Sequence, residues 1–128
     1  MEADPATVLV VDDEPSIRLL CRVNLELEGY RVLEAGTLAD ARSMVAAERV
    51  DVALLDVHVG ADDGRDFLRE LRDQRPEVRV ALLSGSAARE QIAREEADAL
   101  IPKPFVLEEM LSTVARLARA SARHGARG

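Results

Sequence analysis

Short aliphatic runs alternate along the chain with stretches in which apolar positions recur every three or four residues. Thr7–Val11 (TVLVV), Arg31–Ala35 (RVLEA), Asp51–Leu55 (DVALL), Val78–Leu83 (VRVALL) and Ala99–Ile101 (ALI) read as strands. Three of them have almost no polar alternation, as parallel strands covered on both faces require. Between them lie helical patterns. Pro15 suits the first turn of a helix that runs to about Glu28 and stops at Gly29. A second helix sets Leu38, Ala41 and Val45 on one face, and a third, after Gly64, carries Phe67, Leu68 and Leu71. A fourth, around Ala88–Glu95, has Ile92 as its only large apolar residue. In the last, Leu107, Met110, Leu111, Val114, Leu117 and Ala118 form one apolar stripe. Five β-α units of this length predict a doubly wound α/β sandwich with right-handed crossovers.

A chain of 128 residues suits one domain, residues 1–119, followed by a basic tail or linker over 120–128. Aromatics make up 2% of the chain, so the core must be aliphatic. No apolar run approaches the roughly 18–20 residues of a membrane span, and Met1–Ala6 lacks a basic, apolar signal; a cytoplasmic protein is the expectation. Cys21 is the single cysteine, which excludes an internal disulfide and fits an inert buried thiol. The net charge of −7 argues against direct nucleic-acid binding. Four arginines and no acid follow from Arg116 onward, so the body is more acidic than the whole. Lys103 is the only lysine among seventeen basic residues.

In such folds ligands sit at the carboxyl ends of the strands. There the topology gathers Asp12-Asp13-Glu14, Asp56, Ser84-Gly85 and Lys103-Pro104. Asp56 follows four aliphatic residues, so its charge sits near the end of a central strand and needs a partner. A strand-terminal acid that caps the next turn is the plain alternative. Three clustered carboxylates raise one another's pKa unless a cation intervenes, and oxygen ligands suit magnesium. Lys103 supplies a point charge for a phosphoryl oxygen, and the flanking Pro102 and Pro104 restrict its backbone. Together these groups describe phosphoryl transfer to a carboxylate, with a hydroxyl from Ser84 at hand. No histidine or glutamate stands as an obvious general base, which suits a covalent switch better than a turnover enzyme.

The segments VLVVDDEPSIR, LLDVHVGADDG, ALLSG and IPKPF, in this order and spacing, resemble the receiver domains of response regulators over roughly residues 6–119. The resemblance implies a flavodoxin-like, CheY-like (βα)5 fold with a five-stranded parallel sheet of order 2-1-3-4-5. It implies that Asp56 is the phosphoacceptor and that Asp12, Asp13, Asp56 and the backbone carbonyl of His58 hold Mg2+, Asp13 directly and Asp12 through water. It further implies Ser84 as the switch hydroxyl, Lys103 as the phosphate-contacting lysine and a cis peptide bond at Pro104. The implied partners are a sensor histidine kinase or histidine phosphotransfer protein and an effector protein or domain, with homodimerisation open. His58 and Ser86 match positions that tune acyl-phosphate lifetime.

Four positions depart from the family pattern. Leu100 stands where an aromatic switch residue is usual. Ser84 and Lys103 are nineteen residues apart, about three fewer than expected, which shortens the fourth helix or its loop. Glu96 replaces a glycine at that helix's end, and Gly60 replaces a proline, which loosens the loop after Asp56. A pseudo-receiver, a phosphorylation-independent interaction module, is therefore the competing reading. An aspartyl phosphatase would want an aspartate two residues after the nucleophile, where this chain has His58, and a flavodoxin would want aromatic flavin partners.

Overall fold

A computed structural model describes residues 5–85 and 97–126, with side chains as far as Ser121. The chain runs β1 (Thr7–Val11), α1 (Pro15–Leu27), β2 (Arg31–Ala35), α2 (Leu38–Ala47), β3 (Val52–Asp56), β4 (His58–Val59), β5 (Asp62–Asp63), α3 (Gly64–Gln74), β6 (Arg79–Ser84), β7 (Ala99–Pro102) and α4 (Leu107–Ala126). Five strands form one sheet in the order β2-β1-β3-β6-β7, all parallel, while β4 and β5 pair as a separate antiparallel hairpin. Counting only the large sheet, this is the expected order 2-1-3-4-5. The expected fourth helix around Ala88–Glu95, with Ser86 and Glu96, lies outside the described residues.

The period-two geometry of the strands divides the core into two layers. Leu9, Val11, Ala53, Leu55, Val80 and Leu82 face α2 and α3, where they meet Leu38, Ala41, Val45, Phe67, Leu68 and Leu71. The alternate residues Val8, Val10, Val52, Leu54, Ala81 and Leu83 face α1 and α4, against Cys21, Leu25, Met110, Val114 and Leu117. Both faces of β1 and β3 are covered, which explains their unbroken aliphatic sequences.

Local signals set the helix ends. Pro15 opens α1, and Gly29 leaves it with φ 96°, a left-handed conformation that favours glycine. Thr37 caps α2 by accepting from the Asp40 N–H at 3.0 Å. Asp63 caps α3 in the same way, accepting from the Arg65 N–H at 2.9 Å.

Two expectations change. Gly60 does not simply loosen its loop: it takes φ 63° at the first turn position between the paired His58–Val59 and Asp62–Asp63. A positive φ at that position alone is the pattern of a type II′ hairpin turn, which calls for glycine there. The last helix also continues past residue 119 to Ala126. Its Ser121 is buried at the opposite edge of the sheet, where the hydroxyl donates to Asp51 Oδ1 at 3.4 Å. No helix among the described residues is long and apolar enough to cross a membrane.

Candidate functional site

The carboxyl ends of β1, β3 and β6 and the loop after β7 bring the predicted residues together. Asp12 directly follows β1 and is fully buried, because its N–H bonds to Ala35 O at 3.1 Å and holds it inside the sheet's edge. Asp13 beside it is exposed. Asp56, the last residue of β3, is buried, and so is Ser84, the last residue of β6. Lys103 is joined to the end of β6 through its N–H, which donates to Ser84 O at 3.1 Å. The Lys103–Pro104 peptide bond is cis, as the resemblance implies.

The charges pair across these loops. Lys103 Nζ lies 2.7 Å from Asp56 Oδ2 and 3.7 Å from Asp12 Oδ2. Asp56 Oδ1 accepts from the His58 N–H at 3.1 Å, so the backbone after the strand folds back over the carboxylate. Asp12 Oδ1 accepts from the Glu14 N–H at 2.9 Å. Asp12 Oδ2, also buried, has no hydrogen-bond partner among the described residues. Burial, reinforced by the charge of Asp56, pushes the Asp12 carboxyl up to about 6 against the opposing pull of the Glu14 N–H and Lys103. For Lys103, burial works to lower the pKa, but the hydrogen bond to Asp56 and the charges of Asp12, Asp56 and Glu14 outweigh it. The ammonium is held above its usual range and stays charged.

One carboxylate oxygen from each of Asp12, Asp13 and Asp56 lies within 4.8 Å of the others. An all-oxygen donor set with a buried oxygen that accepts no hydrogen bond among the described residues fits a hard divalent cation. Asp13, Asp56, His58, Gly60, Ser84 and Lys103 line a cavity of about 320 Å³ beside this cluster, roomy enough for a phosphoryl group. His58 is exposed and lines this cavity, and its N–H donates to Asp56. Leu100 is half-buried and packs against the layer that holds α2 and α3.

The sequence alone did not single out Gly64. A Cβ there would meet Asp56 O at 2.1 Å and Val57 O at 3.1 Å. The Gly64 N–H donates to Val57 O at 2.6 Å, while the Val57 N–H donates to Leu83 O at 3.1 Å. The start of α3 is therefore seated directly on the backbone that carries the acceptor. The only available signal was a glycine opening a helix, and the contact that requires it is tertiary.

Comparison with known proteins agrees with this geometry. The family description of the response regulator receiver domain matches residues 8–115. The "Probable transcriptional regulatory protein TcrX" of Mycobacterium tuberculosis is 36% identical over 121 residues, which are 92% of this chain and 52% of that protein. This chain thus spans about half the length of the curated relatives it matches. Among solved structures, a CheY-like receiver domain from Methanospirillum hungatei superposes with a TM-score of 0.87 at 25% identity, covering 94% of this chain and 98% of that one. The response regulator TrrA from Thermotoga maritima, solved in complex with Mg(2+)-BeF, superposes with a TM-score of 0.80 at 28% identity, covering 88% of this chain and 98% of that one. Family match, relatives and fold agree, and this chain belongs to the response regulator receiver domain family.

Proposed function

We propose that this chain is a phosphorylation-controlled receiver in which Asp56 accepts a phosphoryl group from a phosphohistidine on a sensor histidine kinase or histidine phosphotransfer protein. The observation that carries this reading is the placement of Lys103 Nζ between Asp56 and Asp12, beside a buried Asp12 oxygen that accepts no hydrogen bond among the described residues. An oxygen of Asp56 attacks phosphorus, the donor's phosphorus–nitrogen bond breaks, and the imidazole keeps that electron pair and takes up a proton. Lys103, already charged and in contact with Asp56, follows the new phosphoryl oxygens. Ser84, at the end of β6, offers its hydroxyl from the other side. Asp12, Asp13, Asp56 and the His58 carbonyl would hold Mg2+, which supplies charge neutralisation for the phosphoryl oxygens. The complex of TrrA with Mg(2+)-BeF supports that choice of ion. Water returns Asp56 to the carboxylate and releases phosphate, so the chain switches rather than turning over a substrate.

The exposed apolar face of α1, formed by Leu19, Leu20, Val23 and Leu27, begins beside the acidic loop and offers the phosphodonor a surface. Output passes to an effector, with residues 120–128 as the connection from the receiver unit 1–119, in a cytoplasmic setting. Incubation with magnesium and acetyl phosphate, read by intact mass, tests the reading. A magnesium-dependent phosphoryl adduct on the wild type and none on Asp56→Asn is the expected result. Absence of an adduct on folded wild type overturns it and favours the pseudo-receiver.

A further inference from the structure

Arg18, in the first turn of α1, lies outside the lining of the cavity beside Asp56, yet its side chain reaches the acidic loop. Its Nη1 donates to Asp12 O at 2.7 Å, and its Nε lies 3.4 Å from Glu34 Oε1 on β2. Asp12 is fully buried, so its carbonyl needs a donor from the protein. Pro15, three residues further on, has no N–H to offer, and Arg18 reaches back to supply one. A guanidinium suits this place because its donors form a rigid planar fork, able to face a carbonyl and a carboxylate at once.

Three successive residues at the end of β2 receive this side chain and the loop it holds. Glu34 anchors the guanidinium and also accepts from Arg22 Nη1, one turn further along α1, at 2.8 Å. Ala35 O accepts from the Asp12 N–H at 3.1 Å. Gly36 leaves room for the arginine: a Cβ there would lie 2.9 Å from Arg18 Nη1 and 3.4 Å from its Cζ. The φ of Gly36 is not positive, so space alone calls for glycine. A free arginine tip would move aside, but this one is 20% exposed and tied at both ends. Asp12 is thus held on three sides, its N–H by Ala35, its carbonyl by Arg18 and its Oδ1 by the Glu14 N–H. The carbonyl belongs to the peptide plane that joins Asp12 to Asp13. The bond from Arg18 therefore fixes the direction in which the exposed Asp13 leaves the buried strand end.

We propose that Arg18 is a positioning residue for the magnesium ligands, holding the Asp12–Asp13 peptide in the orientation that lets both carboxylates serve one ion. This role rests on the receiver reading, in which Asp12 and Asp13 bind that ion; Arg18 itself contacts neither the ion nor the phosphoryl group. Groups that orient metal ligands from behind are worth about 10–100-fold in metal affinity. The alternative role, a positive charge that merely balances the acidic loop, has the opposite sign. Removing a cation this close to the Asp12, Asp13 and Asp56 cluster by itself favours the binding of another cation. Positioning therefore predicts weaker magnesium binding when Arg18 is lost, and charge balance predicts tighter.

Isothermal titration calorimetry with magnesium chloride tests this on the intact chain, comparing the wild type with Arg18→Met and Gly36→Ala. The first keeps much of the aliphatic stem and loses the donors. The second keeps the arginine and its charge but displaces the guanidinium. Each variant should bind magnesium about tenfold more weakly. The magnesium concentration that half-saturates labelling of Asp56 by acetyl phosphate should rise by the same factor. Circular dichroism in EDTA at the same temperature establishes that the chains compared are folded. Gly36→Ala carries the test if Arg18→Met does not fold, since it removes no hydrogen-bonding group. A folded variant of either kind that binds magnesium as tightly as the wild type, or more tightly, overturns the proposal. A wild type that binds no magnesium overturns the receiver reading itself, and this role with it.

Discussion

Gly64 shows how a missing side chain can fix a reactive one. With a Cβ placed 2.1 Å from Asp56 O, the Gly64→Ala variant must push α3 away from the end of β3. Overpacking of this kind destabilises by about 1–3 kcal/mol, seen as a lower urea midpoint, and the same displacement should slow labelling of Asp56 by acetyl phosphate. Cys21 makes the opposite case, a reactive group rendered inert. It is fully buried, and burial together with the charge of Asp12 pushes its thiol up to about 11. Alkylation at pH 8 should be slow in the folded protein and complete once urea unfolds it; fast labelling of folded chain would contradict the burial. The inert cysteine was legible in the sequence, because a lone thiol on a helix with an apolar face has few other places to go. Gly64 was not, since its partner lies eight residues earlier and meets it only after β3, the hairpin and α3 have folded together.

At the scale of elements, what can be read from sequence depends on length and periodicity. The five strands of the sheet and helices α1 to α3 follow their apolar patterns to within a residue or two, with Gly29 marking one end through its backbone and Asp63 another through its side-chain cap. The β4–β5 hairpin escaped notice because two-residue strands carry no period, and Gly60 is their only signal. The last seven residues of α4 were read as tail because Arg, Gly and His dominate there, yet the helix continues and Ser121 ties it to Asp51. Ion pairs sort in the same way. Asp98, at the start of β7, accepts from Arg72 and from the Val80 N–H and faces Arg79, so it binds α3, β6 and β7 together, and nothing local in the sequence shows it. These placements predict unequal consequences. Met110→Ala removes a fully buried side chain from the layer under α4 and should lower the unfolding free energy by about 2–5 kcal/mol. Arg42→Ala breaks a two-pronged pair with Glu70 between α2 and α3, at 2.7 and 2.8 Å, but both partners are exposed. Its effect should stay below about 1 kcal/mol, and denaturant titration separates the two.

Across the whole molecule, the acidic site sets stability against readiness. Asp12 is raised from an ordinary 3.8 to about 6, so the folded chain holds this proton where the unfolded chain has lost it. Below about pH 4 the group is neutral in both states and adds no penalty. As pH rises to about 6 the buried charge appears and stability falls, by ~3 kcal/mol from this group if the full shift is expressed. In EDTA, Asp12→Asn should therefore raise the melting temperature at pH 7.5 and have little effect near pH 4. Added magnesium should narrow the difference at pH 7.5 by stabilising the wild type alone. Equal melting temperatures at pH 7.5 in EDTA would count against a strained Asp12. The candidate site was legible at this scale because the doubly wound topology sends every strand's carboxyl end to one edge, so Asp12, Asp56, Ser84 and Lys103 converge whatever their separation in sequence. The last helix, α4, has a mechanical consequence. It starts four residues after Lys103 and reaches the far edge of the sheet at Ser121, about 21 Å along the axis. Such a rod acts as a lever with its short arm at the charged loop. A tilt of about 5° there carries Ser121 through roughly 1.8 Å, enough to break its contact with Asp51 at the opposite pole of the protein.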